Sequence, residues 1–178
     1  MTSEPSPPDL LLADTVNHGM RLLVVGLNPS IMSAERQIGF VRPGNRFWPA
    51  ALQAGIVTRD RDPAHALAHD QVGMTNLVAR ATRRADELSP SEFRDGLQRL
   101  DDLCAKFQPE TVCVVGITGW RHGTGDKTVS LGWQPRRLGG RPVYVMPNPS
   151  GLNAHTNIKD LVAHFQRAVA GPSATAPS

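Results

Sequence analysis

The sequence predicts an α/β fold: a three-layer α/β/α sandwich around a central, mostly parallel sheet of four to five strands. Two observations predict it. Four apolar, β-branched runs stand out, with helical patterns between them; strands alternating with helices imply a parallel sheet covered on both faces. Two of those runs also break at the same tripeptide, Asn-Pro-Ser, and a strand halted by proline leaves an extended residue at its end.

In chain order, the first strand is Leu22 to Leu27, closed by Asn28-Pro29-Ser30. A helix opens at Asn45 and closes near Gly55, and a short strand follows at Met74 to Val78. Ser89-Pro90-Ser91-Glu92 has capping-box spacing with proline at the first helical position. It starts a helix running to about Phe107, with Phe93, Leu97, Leu100, Leu103 and Cys104 on one face. Thr111 to Ile117 and Val143 to Met146 are the remaining strands. Asn157 to Val169 is a final amphipathic helix carrying Ile158, Leu161, Val162 and Phe165. At 178 residues, one domain is expected, spanning residues 9–170. Residues 1–8, rich in Ser and Pro, and residues 171–178, small and polar, read as disordered tails.

Composition narrows the function. No apolar run reaches the roughly 18 residues needed to span a membrane, and the N-terminus lacks the features of a secretion signal. The expected location is the cytoplasm. Cys104 and Cys113 read as reduced core residues, and two cysteines cannot furnish the four thiolates of an iron–sulfur cluster. His65 and His69 are helically spaced, but no third or fourth zinc ligand lies nearby. A net charge of +3 suggests a polyanionic partner. The basic residues are 16 Arg and 3 Lys; Arg suits bidentate phosphate contacts, although a coding bias would give the same count.

The repeated tripeptide gathers the candidate site. Asn28 and Asn148 each precede a proline and should sit extended at the lip of a strand. Ligands of open α/β sheets bind in the crevice outside the carboxyl ends of the strands, so two amides reach one crevice from opposite ends of the chain. Asparagine donates and accepts hydrogen bonds but does not titrate, which suits a site that positions rather than exchanges protons. One Asn-Pro pair is commonly just a turn; two, with Gly26 and Gly151 permitting close backbone approach, point to function. Phe40 lies on a loop rich in Gly, Pro and Arg, without a periodic partner. It is either a platform for a flat ligand, where stacking contributes about 1–3 kcal/mol per base, or a plug at the edge of the core. Phe47 and Trp48 lie within a helix and read as core.

Three segments, Gly26-Leu27-Asn28-Pro29, Pro43-x-Asn45-Arg46-Phe47-Trp48 and Asn148-Pro149-Ser150-Gly151-Leu152, occur in this order and spacing. Together they closely resemble the mismatch-specific uracil/thymine-DNA glycosylases, the Mug branch of the uracil-DNA glycosylase superfamily, over roughly Arg21 to Ala168. The resemblance implies a monofunctional base-excision-repair enzyme that removes uracil from G·U mispairs in double-stranded DNA. It would act as a monomer, without metal or cofactor, on the nucleoid of a bacterial-type cell. It also implies that Asn28 positions the hydrolytic water, that Phe40 stacks on the flipped base, and that Asn148 makes a contact near the scissile bond. From the segment beginning at Ser150, Gly151 and Leu152, with Asn153 beside them, would fill the gap left in the duplex. By position, Leu27, Ser33 and Asn76 are expected to shape the base pocket.

The chemistry fits those residue types. A base inside a duplex must be extruded, at a cost of a few kcal/mol that is least for a mispair, and an apolar wedge can fill the vacated stack. Glycosidic cleavage passes through an oxocarbenium-like sugar, and stabilising the departing uracil anion with aimed donors matters more than a strong base. Asn28 need only hold water, so a modest rate is expected. Arg83-Arg84-Ala85-Asp86-Glu87 follows the second strand: Asp86 is a candidate general base, or else part of a solvated charge cluster, and Arg83 is a candidate phosphate contact. Ser30 and Ile31 stand where a Gly is common in the family, so a stiffer loop is expected there. Two other classes fit less well, a non-catalytic sensor of mispaired DNA and a nucleoside or nucleotide hydrolase, the latter lacking the usual Gly-rich phosphate loop.

Overall fold

The computed structural model describes residues 10–173. The tail expected at residues 1–8 and most of the one at 171–178 lie outside the described residues. Five strands form one sheet in the order β2-β1-β3-β5-β4: β1 Leu22–Gly26, β2 Val72–Asn76, β3 Thr111–Val115, β4 Gly132–Trp133 and β5 Val143–Met146. β1, β2, β3 and β5 are parallel, and β4 is antiparallel to β5. Every residue of the four parallel strands is buried. Strands covered on both faces read as unbroken apolar runs, which is why these four were visible in the sequence.

Six helices flank the sheet among the described residues: α1 Ile31–Arg36, α2 Phe47–Gln53, α3 Pro63–His69, α4 Pro90–Phe107, α5 Ile117–Thr124 and α6 Ile158–Ala170. Alternate strand residues divide the core. Val24, Met74, Cys113 and Tyr144 pack with Phe47 and Trp48 of α2 and Leu161 and Phe165 of α6. Leu23, Val25, Val114 and Val145 pack with Phe93, Leu97 and Leu100 of α4 and Trp120 of α5. The expected three layers are present. The capping box forms as the sequence predicts: Ser89 Oγ accepts from Glu92 N at 3.3 Å and Glu92 Oε2 accepts from Ser89 N at 2.7 Å. α4 closes where Gln108 turns left-handed, at φ 48°. Cys104 and Cys113 are buried free thiols, and desolvation pushes each up to about 12, so neither is a ready nucleophile.

Several boundaries differ from expectation, and one segment is additional. β2 runs Val72–Asn76 rather than Met74 to Val78; Gly73 is a strand residue whose missing Cβ would lie 2.1 Å from Met20 Sδ. β3 stops at Val115 because Gly116 takes φ 102°. α2 starts at Phe47, with Asn45 ahead of it accepting from the Phe47 N–H at 2.9 Å. Residues 10–16 form a strap antiparallel to β2, in which Thr15 and Met74 exchange two backbone hydrogen bonds of 2.9 Å. Among the described residues no helix is long and apolar enough to cross a membrane.

Candidate active site

The parallel strands deliver their carboxyl ends to one rim, with Gly26 of β1 in register with Asn76 of β2 and Val115 of β3 with Met146 of β5. Chain order reverses across the sheet between β1 and β3, the kind of point at which open α/β sheets hold ligands. A cavity of about 250 Å³ opens there, lined by Leu27, Asn28, Ser33, Phe40, Asn76, Val115, Asn148 and Ser150, with the strap closing its side through Leu12 and Thr15. This volume is slightly below the roughly 300–1,000 Å³ of drug-sized sites, and suits a single flat ring.

Asn28 reaches the cavity with one end of its amide already committed. Its Nδ2 donates to the Arg80 carbonyl at 3.1 Å and to Thr82 Oγ1 at 2.8 Å. A backbone carbonyl can only accept, so the atom facing it must be the nitrogen. Thr82 Oγ1 in turn donates to the Arg84 carbonyl at 2.8 Å, which frees its lone pairs for Asn28. Asn28 Oδ1 is left without a partner among the described residues and is the end available to a ligand. The segment after β2 is held to the first motif by Leu77 N on Gly26 O, Val78 N on Leu27 O and Thr82 N on Pro29 O, at 2.8, 3.0 and 3.2 Å.

The floor depends on a glycine. A Cβ on Gly26 would lie 2.5 Å from Asn76 Oδ1 and 3.2 Å from Phe40 Cζ, so the amide of Asn76 and the ring edge of Phe40 meet over bare backbone. Asn76 is 8 % exposed, and its amide has no hydrogen-bonding partner among the described residues. Phe40 sits at φ 60°, a left-handed conformation that costs a non-glycine residue about 1–3 kcal/mol. Its ring stacks on Phe47 with centroids 4.1 Å apart and planes 16° apart. Phe40 is therefore backed by the core and lines the cavity at once. Ser30 is the N-cap of α1, accepting from Ser33 N at 3.1 Å and donating to the buried Ser33 Oγ at 3.0 Å.

The second motif has the opposite polarity. Asn148 Oδ1 accepts from Ser150 N at 3.0 Å; a backbone N–H can only donate, so the free end of this amide is Nδ2. Beyond it the chain turns tightly, with Asn153 Nδ2 on the Asn148 carbonyl and Asn153 N on the Ser150 carbonyl, both at 3.0 Å. Gly151 is pressed against another backbone, since a Cβ there would lie 2.7 Å from Gly44 O. Leu152, at the apex, is 91 % exposed, against 52 % for Leu11, the next most exposed large apolar residue among those described.

A sequence model described as the uracil DNA glycosylase superfamily matches residues 13–170. The chain belongs to the uracil DNA glycosylase superfamily. For a member of that superfamily, the structure gathers most of the residues singled out from sequence around one cavity and its lip. Gly151, Leu152 and Asn153 lie outside the cavity lining, on the loop that follows Ser150, and Asp86 lies apart from both. It is exposed on a single 3₁₀ turn, Ala85–Glu87, in an ion pair with Arg84 at 3.2 Å, and is not among the lining residues. The turn sends the carboxylate to solvent while Arg83, Arg84 and Ala85 reach the rim. Thr82 and the Arg80 carbonyl, which hold Asn28 Nδ2, lie in none of the three motifs, and Thr82 also lines the cavity. Arg46 stood inside a quoted motif without a role.

Proposed function

We propose that the protein is a base-flipping uracil-DNA glycosylase with a preference for G·U mispairs. The observation that carries this reading is the free Oδ1 of Asn28, locked outward by two acceptors at the wall of a ring-sized cavity. Uracil turned out of the stack enters against Phe40, with the Asn76 amide beside its polar edge. A water that donates a hydrogen bond to Asn28 Oδ1 sits at the sugar face; its oxygen bonds to C1′ as the N-glycosidic pair leaves on the base, and the proton it sheds passes by way of solvent to the uracil anion. Asn148 Nδ2 supplies a donor, which favours charge developing on the departing ring. Leu152 occupies the vacated stack, which offsets part of the few kcal/mol that extrusion costs. Arg42, Arg83 and Arg84, exposed on the rim, lie where phosphates would pass. Asp86 takes no part in this reading.

The test is a duplex containing one G·U pair, mixed with excess protein and probed for alkali-labile abasic sites. Cleavage at the uracil strand is expected, faster than for an A·U duplex. Tight binding without product would instead mark a sensor, and cleavage of free nucleosides a small-molecule hydrolase.

A further inference from the structure

We infer that Arg46 is the positioning residue that holds the Leu152 wedge in its working geometry. The inference rests on the reading of Leu152 as the wedge. Four of the five guanidinium N–H groups of Arg46 are spent on carbonyls of one short loop. Nε donates to Pro149 O at 3.4 Å, Nη2 to Ser150 O at 2.8 Å and to Asn153 O at 3.1 Å, and Nη1 to Thr156 O. The Arg46 backbone N–H adds a bond to Pro149 O at 3.0 Å. These carbonyls bracket Gly151 and Leu152 on both sides. A loop that presents an exposed leucine has no core of its own to fix it; here one planar fork from α2 does so.

The guanidinium has no carboxylate partner among the described residues, so its charge is satisfied by the loop backbone. The next residue, Phe47, backs Phe40. Neighbouring residues at the start of α2 thus carry the base platform and the wedge, and fix the spacing between them. Lysine would keep the charge, yet its compact ammonium cannot span the carbonyls that a planar fork reaches. Arg46→Lys therefore separates positioning from simple phosphate attraction.

The test measures single-turnover cleavage of a G·U duplex by wild type, Arg46→Lys, Leu152→Ala and the double variant. Alongside it runs amide hydrogen exchange over 149–156 in the free proteins. Misplacing a group by about 1 Å can cost on the order of 100-fold in rate, so Arg46→Lys should lose roughly 10- to 100-fold. The double variant should be no slower than the worse single one, because a misplaced wedge and a missing wedge are the same defect. Exchange in the loop should quicken in Arg46→Lys, at unchanged thermal midpoint, and stay as in wild type in Leu152→Ala. Multiplying losses in the double variant would overturn the inference, as would unchanged exchange or a wild-type rate in Arg46→Lys. A wild type inert on the duplex would sink the glycosylase reading, while the exchange arm would still decide whether Arg46 orders the loop.

Discussion

The two Asn-Pro-Ser segments are alike in sequence and opposite in polarity. At Asn28 the amide nitrogen is tied down and the carbonyl is free; at Asn148 the carbonyl is tied down and the nitrogen is free. In both cases a backbone group decides, a carbonyl for the first and an N–H for the second. The surroundings differ as well. Asn28 is half-buried and braced by residues fifty positions away, whereas Asn148 is exposed and braced by its own loop. A strand stopped by proline supplies the same side chain at the same rim, and the next few residues decide whether it accepts or donates.

If the first segment is the acceptor that holds water, Asn28→Ala should produce the largest loss, on the order of 100-fold or more in single-turnover rate, with binding to a G·U duplex largely kept. A rate within a few-fold of wild type would break the contrast outright. Thr82→Val removes the shortest of the three hydrogen bonds made by Asn28 Nδ2 and should cost roughly tenfold, the rate equivalent of about 1.4 kcal/mol, near the upper range of a single hydrogen bond. Thermal midpoint should move little. An equal loss of duplex affinity would show that Thr82 acts on DNA directly.

The second segment should respond in binding. Leu152→Ala should weaken affinity for mispaired duplex more than for single strands, by about tenfold, and leave the melting temperature untouched because so little of the side chain is buried. Equal weakening of both substrates would remove the wedge from the comparison. The smallest effect concerns the brace behind Asn28. Arg80, whose carbonyl receives Asn28, is itself held by Glu92 in a two-pronged ion pair of 2.8 and 3.1 Å. The Arg80 hydrogen bond, aided by the Ser89 N–H, lowers the Glu92 carboxyl from its ordinary 4.5 to about 2. A carboxyl lowered on folding stabilises the protein above its unfolded value, and that contribution fades as pH falls from about 4.5 toward about 2. Glu92→Gln should therefore flatten the acid side of a melting-temperature profile within this window, and leave the rest of the curve parallel to wild type.

How much of this could be read from the residues follows from what each residue does. The parallel strands announce themselves because burial on both faces makes them uniformly apolar, and α4 because Ser89 and Glu92 satisfy each other's backbone. α5 is hidden: Gly119 and Gly123 are poor helix formers. They are there because Cβ atoms would lie 2.8 Å from Leu27 and 3.3 Å from Leu77, so close packing of the helix on its neighbours outweighs propensity. β4 has two residues, too few to show a period. At the site, Asn28 and Asn148 stand out by motif and Phe40 by the Gly-, Pro- and Arg-rich loop that carries it, while Thr82 and the Arg80 carbonyl do not. Their contribution is to orient another residue, which leaves no pattern along the chain. At Asp86 the geometry matches the second of the two readings, a solvated charge cluster: one short turn directs a chemically apt residue away from the rim.

The strap has a consequence for solubility. β2 is an outer strand of the sheet, and a bare outer strand offers its unpaired amides and carbonyls to any other chain. Thr15 pairs with Met74 on that edge, and the strap continues past the strand's end with Leu12 N on Ala79 O at 3.2 Å and Ala81 N on Leu10 O at 2.8 Å. Leu12, Ala13 and Thr15 of the strap also wall the cavity. A version of the protein shortened past Thr15 would thus lose a side of its pocket and gain a sticky seam in one stroke, and its failure would be seen first as precipitation rather than as a soluble, inactive protein.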